Sequence, residues 1–295
     1  MRAHVLEKTT SVAGARRALA AAFRDAGLDS PELDARILVG FALDLDHAGL
    51  VVAGERSITA GEAQAIAALG QRRLARESVA VIVGEKEFWG LRFQVGPATL
   101  VPRPESETIV DAALRALDAQ GLRHSSLRIA DLGTGSGCLL LALLSELPNA
   151  RGIGTDISNP AIEIARVNAR ALRLADQALF VRGCFADALA GDFDLIVSNP
   201  PYVATDALAD LAPEVRREPR QALDGGPDGL NAYRAIAADA TRLLRHGGAL
   251  VFELGIGQAG PVAALLSAAG LAPEEPQMDL AGVPRVLVAF RQPMR

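Results

Sequence analysis

Arg128-Ile129-Ala130-Asp131-Leu132-Gly133-Thr134-Gly135-Ser136-Gly137 sets the architecture of this chain. Five residues read as a buried strand. They run straight into a glycine-rich loop, and an apolar helix over Cys138 to Glu146 follows. Glycine reaches backbone conformations closed to other residues, so the loop can turn tightly and let a ligand approach the main chain. The helix start behind it presents unpaired N–H groups and a positive dipole end, which favour a carboxylate or phosphate.

Outward from this unit the pattern repeats. Strands are expected at Arg151 to Thr155, Leu179 to Arg182, Phe193 to Ser198 and Ala249 to Leu254. Helices are expected over Pro160 to Leu174, Leu230 to Leu244 and Gln258 to Ala269, with a closing hairpin from Leu271 to Met278 and Arg285 to Phe290. Repeated β-α units predict an α/β, Rossmann-like fold with a mostly parallel sheet covered by helices on both faces.

Upstream the character changes. Ser11 to Arg76 reads as short amphipathic helices. Ser30-Pro31-Glu32 predicts a helix start with Ser as cap and Pro in the first turn. Leu33, Ile37 and Phe41 then form one apolar stripe at i, i+4 and i+8. Thr59-x-x-Glu62 has the capping-box spacing. Glu85 to Arg103 reads as a β-hairpin turning at Trp89-Gly90. The expected organisation is a helical domain over 1–80, a hairpin linker over 81–107 and the α/β domain over 108–295.

The 295 residues are half hydrophobic and 4% aromatic, a globular composition with an aliphatic core. Net charge is −5, which argues against nonspecific nucleic-acid binding. Lysine occurs only at Lys8 and Lys86, so arginine carries the positive charge. Cys138 and Cys184 cannot build a disulfide framework, and no His/Cys/Asp cluster has metal-ligand spacing. With no signal-peptide pattern in Met1 to Thr10 and no spanning apolar run, a cytoplasmic, metal-free protein without membrane contact is expected. No heptad pattern is evident, and a monomer is the expectation.

Two features carry the chemistry. Asp156 closes the second strand, where a carboxylate can accept both ribose hydroxyls. With the glycine loop, that fits NAD and S-adenosylmethionine equally. The fourth strand then ends in Asn199-Pro200-Pro201-Tyr202. Each proline fixes its own φ and restricts the residue before it, so this turn holds its acceptors rigidly. It suits the NH2 group of an amide or of an exocyclic base nitrogen. A dehydrogenase has no use for such a turn; a methyltransferase does.

With these residues in place the chain resembles the class I S-adenosylmethionine-dependent methyltransferases, and within them the protein-(glutamine-N5) methyltransferases. The resemblance runs through Gly84-Glu85-x-x-Phe88-Trp89-Gly90-Leu91, Leu100-Val101-Pro102-Arg103-Pro104-Glu105-Ser106-Glu107 and Glu218-Pro219-Arg220. It continues in Gly225-Gly226-x-Asp228-Gly229-Leu230, Glu253-Leu254-Gly255-x-Gly257-Gln258 and Asp279-Leu280-Ala281-Gly282. Pro104 and Glu105 favour the branch acting on release factors over the branch acting on a ribosomal protein. The family usually has Thr at the place of Ser106, and the hydroxyl is kept. Where it often has an acid and a bulky residue near the adenine, this chain has Cys184 and Phe185.

The resemblance implies a seven-stranded sheet and methyl transfer from S-adenosyl-L-methionine to a glutamine amide nitrogen. The substrate would be the Gly-Gly-Gln loop of class I peptide chain release factors, with the helical domain binding a second surface of the factor. Gly133, Thr134, Gly135, Ser136 and Gly137 would hold the methionyl end, Asp156 the ribose, and Phe185 the adenine face. Asn199 and the Pro200 carbonyl would accept the amide hydrogens, with Pro201 shaping the turn and Tyr202 packing on the amide. Asn199 would also reach the methionine part of the cofactor. Arg103 and Glu107 are expected to line a cleft. None of His4, His47, His124 and His246 falls in a motif, which disfavours an imidazole base.

Overall fold

The computed structural model describes residues 11–279 and 281–292. The N-terminal stretch inspected for a signal peptide and Leu280 lie outside them. Among the described residues no helix is long and apolar enough to cross a membrane. The chain forms two compact units, dividing between Gly84 and Glu85.

The first unit is helical: α1 (Val12–Asp25), α2 (Pro31–Leu43), α3 (His47–Val52), α4 (Ala60–Leu74) and α5 (Val79–Val83). Its core is made by Leu19, Phe23, Leu38, Val39 and Ile66, among others. The α4 capping box forms in full: Thr59 Oγ1 accepts from Glu62 N–H, and the Glu62 carboxylate accepts from Thr59 N–H. At α2 the expected cap fails, and the apolar stripe lies on the outer face. Ser30 makes no side-chain cap bond; Pro31 and the acids Glu32 and Asp34 open the helix instead. The stripe of Leu33, Ile37 and Phe41 faces solvent. The inward face is Ala35, Leu38 and Val39, with Asp34 paired to Arg73 at 2.7 Å, both side chains nearly buried. The i, i+4 period was right, but α2 has two apolar faces, and the one carrying the small residue Ala35 faces the core.

The second unit opens with the hairpin β1 (Glu85–Phe88) and β2 (Leu91–Gln94). Trp89 and Gly90 both take positive φ, as a tight two-residue turn requires. The strands stop at Gln94, so the hairpin is shorter than its sequence suggests, and 95–103 runs without regular structure. Asn168 takes over the pairing: its Oδ1 accepts from Gln94 N–H, and its Nδ2 donates to the Gln94 and Ser136 carbonyls. The helix α6 (Glu107–Ala119) was not anticipated. It buries Ile109, Val110, Ala113, Leu114 and Leu117, a helical period in plain view.

Then come β3 (Arg128–Leu132), α7 (Cys138–Glu146), β4 (Arg151–Asp156), α8 (Asn159–Ala171), β5 (Ala178–Arg182), β6 (Phe193–Ser198), α9 (Asn231–Leu243) and β7 (Leu244–Glu253). The chain closes with α10 (Ala259–Ala268), β8 (Leu271–Pro273), β9 (Gln277–Met278) and β10 (Pro284–Arg291). The sheet order is β5-β4-β3-β6-β7-β10-β8, with β9 also on β10. The first five strands are parallel and β10 is antiparallel. The expected seven positions are present; the last is shared by β8 and β9, between which lies Pro276, which has no N–H to give a ladder. Both faces are buried. Ile129, Leu195 and Val251 pack with α6 and α7 on one side, and Ala130, Ile196 and Leu250 with α9 on the other. The parallel strands therefore point their C-terminal ends at one edge, where β3, β4, β6 and β7 deliver Asp131, Asp156, Asn199 and Glu253 together.

Candidate active site

The glycine loop is held by the neighbouring strand. Thr155 carbonyl accepts from the N–H groups of Gly133 and Thr134, and Gly135 N–H donates to Asp156 Oδ2 at 2.9 Å. Gly133, Gly135 and Gly137 have φ of 79°, 55° and 81°, a region that favours glycine. Gly137 caps α7 with no side-chain bond. A Cβ there would come 3.1 Å from Ala165 Cβ, so Gly137 serves helix packing and does not line the cavity.

Asp131 lies fully buried beneath the loop. Thr134 Oγ1 donates to its Oδ2 at 2.6 Å, and Oδ1 is buried without a partner. Burial is the main reason its carboxyl is pushed up to about 7. Burial, with Asp131 beside it, also lifts the Cys138 thiol to about 12.

At the end of β4, Asp156 is oriented by Gly135 N–H and by Ser158 N–H, the latter to Oδ1 at 2.8 Å. Phe185 has φ of 43°, a strained value for a bulky residue. Its carbonyl is tied by the Thr155 hydroxyl at 2.8 Å, and its ring lies beside Gly133.

The Asn199-Pro200-Pro201-Tyr202 turn follows β6. Asn199 Nδ2 donates to Ser106 Oγ at 3.2 Å. Ser106 Oγ donates to Glu253 Oε2 at 2.5 Å, and Tyr202 Oη donates to Glu253 Oε1 at 3.1 Å. Glu253 is 3% exposed, and burial raises its carboxyl pKa. The Tyr202 hydroxyl is likewise raised, by burial first and then by Glu253.

The Gly225-Gly226-x-Asp228-Gly229 loop braces the turn from behind. A Cβ at Gly225 would stand 2.7 Å from the Pro201 carbonyl oxygen, and one at Gly229 2.4 Å from that of Tyr202. Gln258 Nε2 donates to the Tyr202 carbonyl at 2.9 Å, while its Oε1 accepts from Gly255 N–H at 3.0 Å.

A cavity of about 390 Å³ joins the two halves. Gly133, Thr134, Gly135, Ser136, Asp156, Phe185, Asn199 and Pro201 all line it, with Ser106. Pro200 and Tyr202 stand behind the wall. Arg103 and Glu107 do not line it either. Arg103 pairs with the nearly buried Glu218 at 2.5 Å, while Glu107 accepts from Trp89 N–H at 2.7 Å. Sequence reasoning passed over Ser106 and Glu253 as site residues. The signal was present: Glu253 is an acid closing the apolar run Ala249 to Phe252, on the strand next to Asn199.

The residues fit S-adenosyl-L-methionine. The loop glycines leave room at the main chain, Asp156 is aimed by two N–H groups, and the aromatic Phe185 shares one cavity with them. Strand order, glycine loop and Asn-Pro-Pro-Tyr turn together define an S-adenosyl-L-methionine-dependent methyltransferase. Residues 14–84 match the PrmC N-terminal domain, and residues 106–228 the methyltransferase small domain. The release factor glutamine methyltransferase of Bradyrhizobium diazoefficiens is 51% identical over 285 residues, 96% of each chain. That of Rhodospirillum rubrum is 48% identical, over 90% of this chain and 81% of its own. A methyltransferase structure from Pyrococcus furiosus shares the fold, with a TM-score of 0.53 at 19% identity over 70% of this chain and 92% of its own. The chain belongs to the release factor glutamine methyltransferase family.

Proposed function

We propose that this protein methylates the N5 amide nitrogen of the glutamine in the Gly-Gly-Gln motif of class I peptide chain release factors. The observation that carries the reading is the Asn199 amide. Its Nδ2 is spent on Ser106, which leaves Oδ1 to accept a hydrogen bond at the cavity wall.

When bound, S-adenosyl-L-methionine supplies a methyl group made electrophilic by its sulfonium. Gly133 to Ser136 hold its methionyl end, Asp156 its ribose hydroxyls and Phe185 its adenine face, with Asn199 near the methionine part. The substrate presents the difficulty, because an amide nitrogen shares its lone pair with its carbonyl. Asn199 Oδ1 accepts one of its hydrogens at the cavity wall, and the Pro200 carbonyl, which does not line the cavity before the substrate is seated, accepts the other; together they turn the nitrogen toward the methyl carbon and make it more electron-rich. Alignment of this kind can supply on the order of 7–11 kcal/mol. The nitrogen gains the methyl and gives up one proton to water. Among the described residues, none of the histidines His47, His124 and His246 lines the cavity, and His4 lies outside the described residues. Tyr202 acts from behind, anchoring the turn on Glu253.

The helical unit docks a second surface of the factor, and the exposed Leu33, Ile37 and Phe41 of α2 are the apolar residues offered for it. The protein acts as a cytoplasmic monomer on a protein substrate, not on nucleic acid, in keeping with its net charge of −5 and two free cysteines.

Mass spectrometry of unmethylated release factor incubated with the protein and S-adenosyl-L-methionine tests the reading. One methyl on the Gly-Gly-Gln glutamine, absent with Asn199→Ala, is expected. Methylation of ribosomal protein or nucleic acid instead would overturn the substrate.

A further inference from the structure

We propose that the buried Glu253 carboxylate, acting through Ser106, fixes which end of the Asn199 amide faces the cavity, so that the site accepts a glutamine amide and rejects a glutamate carboxylate. The inference rests on the glutamine reading above and concerns how that same site chooses its substrate.

The argument is one of proton counting. An ionised carboxylate only accepts hydrogen bonds, and a serine hydroxyl has a single proton to give. Two hydroxyls, those of Ser106 and Tyr202, stand at the two oxygens of Glu253, which as a carboxylate accepts from both. Ser106 therefore has only lone pairs left for Asn199. The Asn199 side chain must turn its NH2 toward Ser106, at 3.2 Å, and its carbonyl the other way. The two ends of an amide have nearly the same shape, so packing alone would not choose between them; the charge at Glu253 does.

The consequence falls on the substrate. Asn199 Oδ1 and the Pro200 carbonyl are both acceptors. A glutamine amide satisfies them with two N–H groups. A glutamate carboxylate would bring only further acceptors, leaving buried polar atoms unpaired and like poles opposed. Sites built to hydrogen-bond one group reject the analogue lacking it strongly. Ser106 and Glu253 are thus positioning residues: Ser106 shares the cavity wall and Glu253 lies behind it, and both act on the substrate through Asn199. Burying a carboxylate for structure alone would be a costly choice, since an apolar residue could fill the same space.

Two measurements test this. Equilibrium binding of full-length release factor carrying Gln or Glu at the methylated position is compared for wild type, Ser106→Thr, Ser106→Ala and Glu253→Gln, with S-adenosylhomocysteine present. Wild type and Ser106→Thr, which keeps the hydroxyl, are expected to favour Gln by on the order of tenfold or more. In Ser106→Ala the ordering hydroxyl is gone. In Glu253→Gln the new amide can give its own N–H to Ser106 and release the serine proton toward Asn199. In both, the Gln-to-Glu ratio should fall toward one. A ratio unchanged in these two variants, with both forms weakened alike, would make the network merely structural and overturn the proposal. S-adenosylhomocysteine binding by each variant reports folding.

The second measurement needs no substrate. Solvent exchange of the Asn199 side-chain NH2 protons, followed by nitrogen-15 NMR, should be slowed in wild type and Ser106→Thr and faster by roughly tenfold or more in the other two. Equal exchange in all four proteins would overturn the proposal. A wild type that binds neither form of the factor, yet shows this pattern, would remove the release-factor reading and leave the polarity of Asn199 standing.

Discussion

The two halves of the cavity are built in different ways. The cofactor half is local: loop, helix start and the partner Asp156 come from two consecutive β-α units, and the glycines meet the ligand with main chain. The substrate half is assembled from a distance. Asn199, Ser106 and Glu253 are 93 and 147 residues apart by pairs along the chain, and they meet as side chains. A local main-chain site tolerates much; a relay of side chains fails when any member goes. The halves should therefore come apart under mutation.

The largest effect is expected at Asn199. Asn199→Ala removes the acceptor that orients the amide, and kcat should fall roughly 10²–10³-fold, as when one oriented polar group is lost elsewhere in catalysis. Cofactor affinity, read by calorimetry, should move far less. Equal losses in both would erase the distinction between the halves. Next is Gly229→Ala. Its φ is 73°, and its new methyl would press on the Tyr202 carbonyl, a backbone atom with nowhere to go. Overpacking of this kind costs about 1–3 kcal/mol. The displaced turn should cut kcat while the glycine loop still binds S-adenosyl-L-methionine.

The sequence showed these halves unequally, and for the same reason. The strand, glycine loop and helix start lie within twenty residues, so spacing alone reveals them; the Asn-Pro-Pro-Tyr turn is equally compact. Ser106 and Glu253 carry no local mark of their partnership, because only the parallel pairing of β6 with β7 brings Glu253 beside Asn199. The placement of Tyr202 behind the wall was hidden likewise, since it depends on Gln258 and Gly229. At α2 the difficulty was ambiguity. Leu33, Ile37 and Phe41 make as good a period as the buried face, and only the packing of the neighbouring helices chooses between them. The fold was legible because the central strands β3, β6 and β7 are apolar on both faces over most of their length.

A smaller effect sharpens the comparison inside the cofactor half. Asp131 is raised from its ordinary 3.8 to about 7, chiefly by burial. Between these values the folded protein holds a proton that the unfolded chain has released. Folding stability therefore falls as pH rises from about 4 to about 7. Asp131→Asn cannot ionise, and it should flatten that part of the melting curve against pH. For wild type without cofactor, a fall in Tm on the order of 5 °C across the window is expected. A variant as steep as wild type would place the slope elsewhere.

The smallest effect should fall outside both halves. Thr59→Ala removes the side-chain half of the α4 capping box and should cost the helical unit about 1 kcal/mol, read by denaturant melting of the full chain. Glu62, held down to about 2 first by its hydrogen bond to Arg56 and then by the Thr59 N–H, adds a pH signature. Its folded pKa is depressed, so its contribution is present above about 4.5 and is lost as pH falls toward 2. Thr59→Ala leaves the Arg56 pair in place, so this acid sensitivity should weaken but not vanish. Methyl transfer to a free Gly-Gly-Gln peptide, which is too short to engage the helical unit, should be unchanged. A matching loss on the peptide would show that the helical unit acts on the chemistry itself, and the division between docking and catalysis would have to be redrawn.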